Sequence, residues 1–189
     1  MRFARFGIAL CALVSFSACD NYIIENEQAV NTAFGNLQSQ YQRRADLIPN
    51  LVETVKAAAA HEKDTLEAVI AARNQATTIK LDSADLEDPA KVAAFQKAQT
   101  GLAGALRQVF ALQESYPEIR ANQNFRDLQV QIEGTENRIQ RAREQYNESV
   151  QVYNAAILKW PGRWLAGGRK AKQPFAAEAG AEVAPKVKF

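Results

Sequence analysis

The sequence predicts an all-α fold: an elongated antiparallel up-and-down helical bundle of four helical segments. Three observations predict it. Apolar side chains recur at helical spacing along most of the chain, most clearly at Phe125, Ile132, Ile139, Tyr146 and Tyr153. Prolines and polar runs mostly fall between these segments. Aromatic residues make up only 8% of the 189 residues, and nine Gly and six Pro are few, which disfavours an all-β sandwich.

The N-terminus reads as an address. Arg2 and Arg5 form a short positive region, and Phe6 to Ser17 is an apolar run. At about a dozen residues it is too short for a membrane-spanning helix and has the size of a signal-peptide core. Phe16-Ser17-Ala18-Cys19 is similar to a bacterial lipobox, with Phe16 where Leu is usual. Cleavage would remove residues 1–18 and leave Cys19 acylated. A single N-terminal transmembrane anchor is the alternative, and Asp20, Asn21 and Glu25 weigh against its continuation into lipid. The expected location is therefore the cell membrane, lipid-anchored on the periplasmic face.

Residues 19–26 read as a polar tether and 27–160 as the bundle. A first helix is expected from Glu27 to Arg44, with Val30, Phe34, Leu37 and Tyr41 on one side. Pro49 predicts a break near 45–48, because an internal proline removes a hydrogen bond and clashes with the preceding turn. A second helix is expected from Ile48 to Lys80, carrying Leu51, Val52, Val55, Leu66, Val69 and Ile70. Residues 81–88 are a polar loop, and Asp88-Pro89 is a helix start with Asp as the cap. The third helix ends at Tyr116-Pro117, and Gly101 and Gly104 suggest a close helix contact.

The fourth helix is the clearest. Phe125, Ile132, Ile139, Tyr146, Tyr153 and Trp160 repeat every seven residues. Leu128, Thr135, Ala142, Ser149 and Ala156 take the companion positions of a coiled-coil-like seam. Pro161-Gly162 stops it. Residues 161–189 read as a C-terminal loop and tail, with a basic stretch at Arg163, Arg169, Lys170 and Lys172. Phe175, Val187 and Phe189 are candidates to pack back onto the bundle. The basic stretch reads either as a solvated loop or as a contact for anionic headgroups.

Little catalytic chemistry is available. The chain holds one His and two Cys, so no Cys/His zinc site is possible. His61-Glu62 begins like the zinc-protease motif, but Thr65 stands where the second His belongs. No phosphate-cradling glycine motif occurs. No cofactor and no metal are expected. The formal charge is +2, and removing Arg2 and Arg5 with the leader balances bases against acids. That balance disfavours a nucleic-acid partner.

Two polar clusters stand out. One runs from Arg43 to Glu53 and contains Arg44, Asp46, Asn50 and Glu53. The other contains Glu136, Asn137, Arg138, Tyr146, Asn147 and Asn154. Asn147 and Asn154 are seven apart and share a helix face. They read either as a network that fixes helix register or as a partner- or ligand-binding face.

The segments RRADLIPNLVETVKAAAAHE, YPEIRANQNFRDLQVQIEGTENRIQRAREQYNESVQVYN and the closing P-x-V-x-F resemble the bacterial LemA family over roughly residues 27–189. The resemblance implies a helical bundle attached to the membrane by its N-terminus, with no established biochemical activity. Genes of the family often sit beside membrane proteases or TPM-domain proteins, which implies envelope maintenance. Arg44, Asp46, Asn50, Glu53, His61, Glu62, Glu136, Asn137, Arg138, Tyr146 and Asn154 match family motif positions that carry no assigned role. The expectation is a non-enzymatic, membrane-anchored, periplasm-facing scaffold with an unidentified envelope protein partner. A ligand-binding or enzymatic bundle using the Arg/Asn/Tyr/Glu cluster is the second reading, and a homo-oligomer is a third.

Overall fold

A computed structural model describes the backbone of residues 2–176 and the side chains of residues 20–176. Its helices are α1 (Arg2–Ala58), α2 (Lys63–Thr78), α3 (Pro89–Ser115), α4 (Pro117–Ala121), α5 (Gln123–Leu158) and α6 (Gly162–Leu165). A 3₁₀ turn covers Asp85–Glu87. Val187 and Phe189 lie outside the described residues, as does the side chain of Cys19.

Pro49 does not break the first helix. α1 runs through it, so the expected break near 45–48 is corrected. Pro49 is exposed, and its missing N–H would orphan the carbonyl four residues earlier, that of Ala45. Arg73 Nε donates to that oxygen at 2.8 Å. The chain reverses instead at residues 59–62, within the helix expected from Ile48 to Lys80. The reversal lays Leu66 and Val69 of α2 against the apolar side of α1 around Leu51 and Val55. Packing overrides the helix preference of the Ala57–Ala60 run there.

Residues 20–26 are a continuation of α1 rather than a loose tether, and Ile23 among them is buried. Asp88 caps α3 as expected, accepting from the amides of Ala90 at 2.8 Å and Lys91 at 3.3 Å. Gly101 and Gly104 sit at no close contact, since an added Cβ at either would meet open space. On α5 the heptad residues Phe125, Ile132, Ile139, Tyr146 and Tyr153 are all buried. Trp160 leaves the series: α5 ends at Leu158 and its indole is 82% exposed.

The core has two parts. One gathers Leu51, Val55, Leu66, Val69, Leu102, Leu106, Phe125 and Ile132 from α1, α2, α3 and α5. The other gathers Ile23, Val30, Phe34, Leu37, Phe95, Tyr146, Val150 and Tyr153, closed by Leu81, Leu86 and Phe175. In this second part α1 and α5 extend past the end of α2. The 81–88 connection and an extended segment at residues 170–176 cover the face that α2 leaves open.

Candidate functional site

Between the two core parts lies a polar waist. On α1 it falls between Tyr41 and Ile48, on α3 between Phe95 and Leu102, and on α5 between Ile132 and Ile139. Arg44 fills it and is 1% exposed. Its guanidinium donates to Glu136 Oε2 at 2.7 Å, to the Gln99 side-chain oxygen at 2.9 Å and to the Gln99 carbonyl at 3.1 Å. It also sits 5.4 Å from the centroid of the Tyr41 ring. Gln99 passes the connection on by donating to the Ala76 carbonyl at 3.1 Å. One buried cation thus ties α1 to α3 and α5, and through Gln99 to α2. Glu136 is partly solvated and meets the buried guanidinium from the rim of the bundle.

The second polar assembly is a groove filled by the chain's own residues 170–176. After α6 the backbone turns at Gly167 and Gly168, both at positive φ, a region open to glycine without strain. The following strap is extended, and side-chain amides bracket three of its residues. Asn154 donates to the Lys172 carbonyl and accepts from its amide, both at 2.9 Å. Asn147 does the same with Phe175, both at 2.9 Å. Gln96 of α3 does so with Ala176, at 2.7 and 3.2 Å. The spacing explains the fit: seven helical residues rise about 10.5 Å, and three extended residues span about 10 Å. The Tyr146 hydroxyl donates to the Gln173 carbonyl at 2.9 Å, and the Gln173 amide donates to the Leu86 carbonyl at 2.8 Å.

Two strap side chains are anchored. Phe175 is buried against Tyr146, Phe95 and Phe34, with ring centroids 5.1, 6.0 and 6.4 Å away. Lys172 is 2% exposed, so it is not part of a solvated loop. Its ammonium donates to the Ser83 carbonyl at 3.1 Å, lies 3.6 Å from Glu27 Oε1 and sits over the Tyr153 ring. Burial raises the Tyr146 hydroxyl far above its ordinary value of 10.0 and the Tyr153 hydroxyl to about 12.

The sequence-derived candidates therefore separate. Arg44 and Glu136 meet at the waist, and Tyr146, Asn147 and Asn154 meet at the strap. Glu62 is elsewhere, at the α1–α2 reversal, accepting from the Tyr116 hydroxyl at 2.6 Å. That bond holds the Tyr116 proton more tightly than usual. Asp46 accepts from Gln42 at 2.6 Å on the surface. Asn50, Glu53, His61 and Asn137 are exposed. Arg138, also exposed, reaches the Thr135 hydroxyl at 3.1 Å. Glu53, Arg138 and Asn147 do not converge on one polar pocket. Gln96, Gln99 and Arg73 were missed, and Lys172 was read only as part of the basic stretch. Gln99 had a signal, since it lies on the same α3 face as Val92, Phe95 and Leu102. Among the described residues no group of His, Cys, Asp and Glu is placed to hold a metal ion.

The family model described as the LemA family matches residues 33–189. The chain belongs to the LemA family. Among curated proteins it is similar to magnetosome protein MamQ of Magnetospirillum gryphiswaldense, 35% identical over 69 residues. Magnetosome proteins MamQ 1 and MamQ 2 of Paramagnetospirillum magneticum match with the same identity over the same length. The match covers 36% of this chain, which spans about a quarter of the length of those relatives (25%). Neither the LemA family nor these relatives are known enzymes. In this LemA-family chain the waist and strap residues all fall inside the matched region. Among the described residues no helix is long and apolar enough to cross a membrane.

Proposed function

We propose that this LemA-family protein is a membrane-anchored, periplasm-facing interaction scaffold that holds an extended segment of an envelope protein. The leader and lipobox-like Cys19 support the anchor, and the likeness to magnetosome proteins supports a membrane-associated role. The observation that carries the interaction reading is the triple amide bracket of Asn154, Asn147 and Gln96. Side-chain amides that accept from and donate to the same residue read the main chain, so they accept many sequences. Phe175 and Lys172 then mark where an aromatic and a cationic side chain would confer selectivity.

The test is binding in trans. Phe175→Ala removes the strap's apolar anchor and leaves the brackets in place. A labelled peptide of the strap sequence KAKQPFA is expected to bind full-length Phe175→Ala, and to bind wild type much more weakly. Adding Asn147→Ala and Asn154→Ala should abolish the binding. A Phe175→Ala protein with native helix content that binds no peptide would overturn the groove reading.

A further inference from the structure

One end of the bundle carries exposed apolar groups that the core does not explain. Trp160 and Trp164 are 82% and 84% exposed, and Leu158 and Tyr22 stand beside them at 62% and 53%. Lys159 and Arg163 are exposed on the same elbow. An apolar groove of about 610 Å³ opens there, lined by Tyr22, Val152, Ala156, Trp160 and Gly162 among others.

The elbow's height along α1 is fixed by named contacts. Gly162 packs where an added Cβ would lie 3.7 Å from Ile23 Cδ1 and 1.8 Å from the Ala156 carbonyl oxygen. Only glycine allows that approach. Arg169 binds Asp20 Oδ1 and Glu27 Oε2, each at 3.4 Å. The elbow is therefore level with residues 20–23. Along a helix that is on the order of 5–9 Å beyond Ser17, the end of the apolar leader run. An acyl group on Cys19 would start closer still, so either anchor places this end at a bilayer surface.

We propose that the α5–α6 elbow is a second membrane contact, with Trp160 and Trp164 seated at the headgroup level and Lys159 and Arg163 on anionic headgroups. Indoles favour that depth because the ring is apolar and its N–H stays hydrated. Juxtamembrane cations gain from anionic lipid within a Debye length. Two contacts would fix the bundle's tilt and rotation on the bilayer, which a single point of attachment would not. The proposal rests on the membrane anchor.

The chain contains two tryptophans, so indole emission reports on the elbow alone. The full chain is reconstituted into vesicles of phosphatidylcholine and phosphatidylglycerol, with brominated lipids in a matched set. Flotation is measured first. The expected result is flotation, blue-shifted emission, about twofold quenching by bromolipid and shielding from aqueous iodide. Flotation with water-like, iodide-accessible and bromolipid-insensitive emission overturns the elbow contact alone, and points to a protein on this face. Absence of flotation overturns the anchor and the contact together. Equal shielding in phosphatidylcholine alone overturns the headgroup role of Lys159 and Arg163. The single variants Trp160→Phe and Trp164→Phe, both at exposed positions, assign the depth of each ring.

Discussion

Arg73 of α2 donates to the carbonyl oxygen of Ala45, the oxygen that Pro49 deprives of its helical donor. A neighbouring helix thus repairs the defect that an internal proline makes. Arg73→Ala is expected to leave that buried carbonyl unpaired, at a cost of about 1–3 kcal/mol. In a Pro49→Ala background the restored N–H can take the same oxygen, and the cost of losing Arg73 should fall by at least half. Urea unfolding of the four proteins measures the coupling. Equal costs in both backgrounds would show that the arginine and the proline act independently.

The waist has a different energetic character. Arg44 is buried, while its partner Glu136 reaches solvent at the rim, so truncation leaves the two Gln99 oxygens unpaired around a cavity. Arg44→Ala is expected to destabilise by about 2–4 kcal/mol, from the unpaired Gln99 oxygens and the cavity, with the solvated Glu136 adding little. Arg44→Lys should recover only a small part, because an ammonium cannot span Glu136 and both oxygens of Gln99 as the planar fork does. Arg44→Met tests whether the layer serves specificity. Stability near wild type with poorly dispersed amide resonances would mean the arginine sets helix register rather than holding the helices together. Sharp native resonances in that variant would argue against a register role.

How much of this was legible follows from the range of the forces. The α5 seam could be read because each heptad residue meets the same kind of neighbour along one helix. The Asp88 cap was equally local. The continuity of α1 through Pro49 was not legible, because the atom that rescues it belongs to Arg73, 28 residues from Ala45. The reversal at 59–62 was hidden by a run of strong helix formers. Asn147 and Asn154 could be assigned to one face from their spacing. What they hold could not, because Lys172 and Phe175 lie in a segment with no periodicity of its own.

The two buried tyrosines predict an alkaline limit to stability. Their phenols are donors in the fold, Tyr146 to the Gln173 carbonyl at 2.9 Å and Tyr153 to the Lys170 carbonyl at 3.4 Å, with pKa values raised above the ordinary 10.0 by burial, Tyr153 to about 12 and Tyr146 further. The folded chain therefore keeps protons that the unfolded chain releases, and stability falls as pH rises above that ordinary value. Below it the contribution is fully present. Thermal melts across the alkaline range should show a declining midpoint in wild type. Tyr146→Phe with Tyr153→Phe should flatten the decline, while losing about 1 kcal/mol per hydrogen bond at neutral pH. An unchanged slope in the double variant would assign the alkaline sensitivity to other groups.

Cys19 makes the sharpest prediction about location. Of the two cysteines, Cys11 would leave with the leader, so a lipidated mature chain has no free thiol and no disulfide. Intact mass of protein extracted from membranes should show loss of residues 1–18 and addition of acyl chains at Cys19. Each buried methylene contributes about 0.8 kcal/mol to membrane retention, so two or three chains hold stably where one would not. Cys19→Ser should block acylation and processing together, leaving a heavier precursor with both arginines of the leader. Recovery of wild type at the unmodified full-length mass would instead identify residues 2–19 as a retained helical anchor. The continuity of α1 from Arg2 into the core makes that outcome structurally coherent. Both anchors end close to the level of the elbow at Trp160, so the mass measurement decides the chemistry of the anchor without deciding the orientation of the bundle.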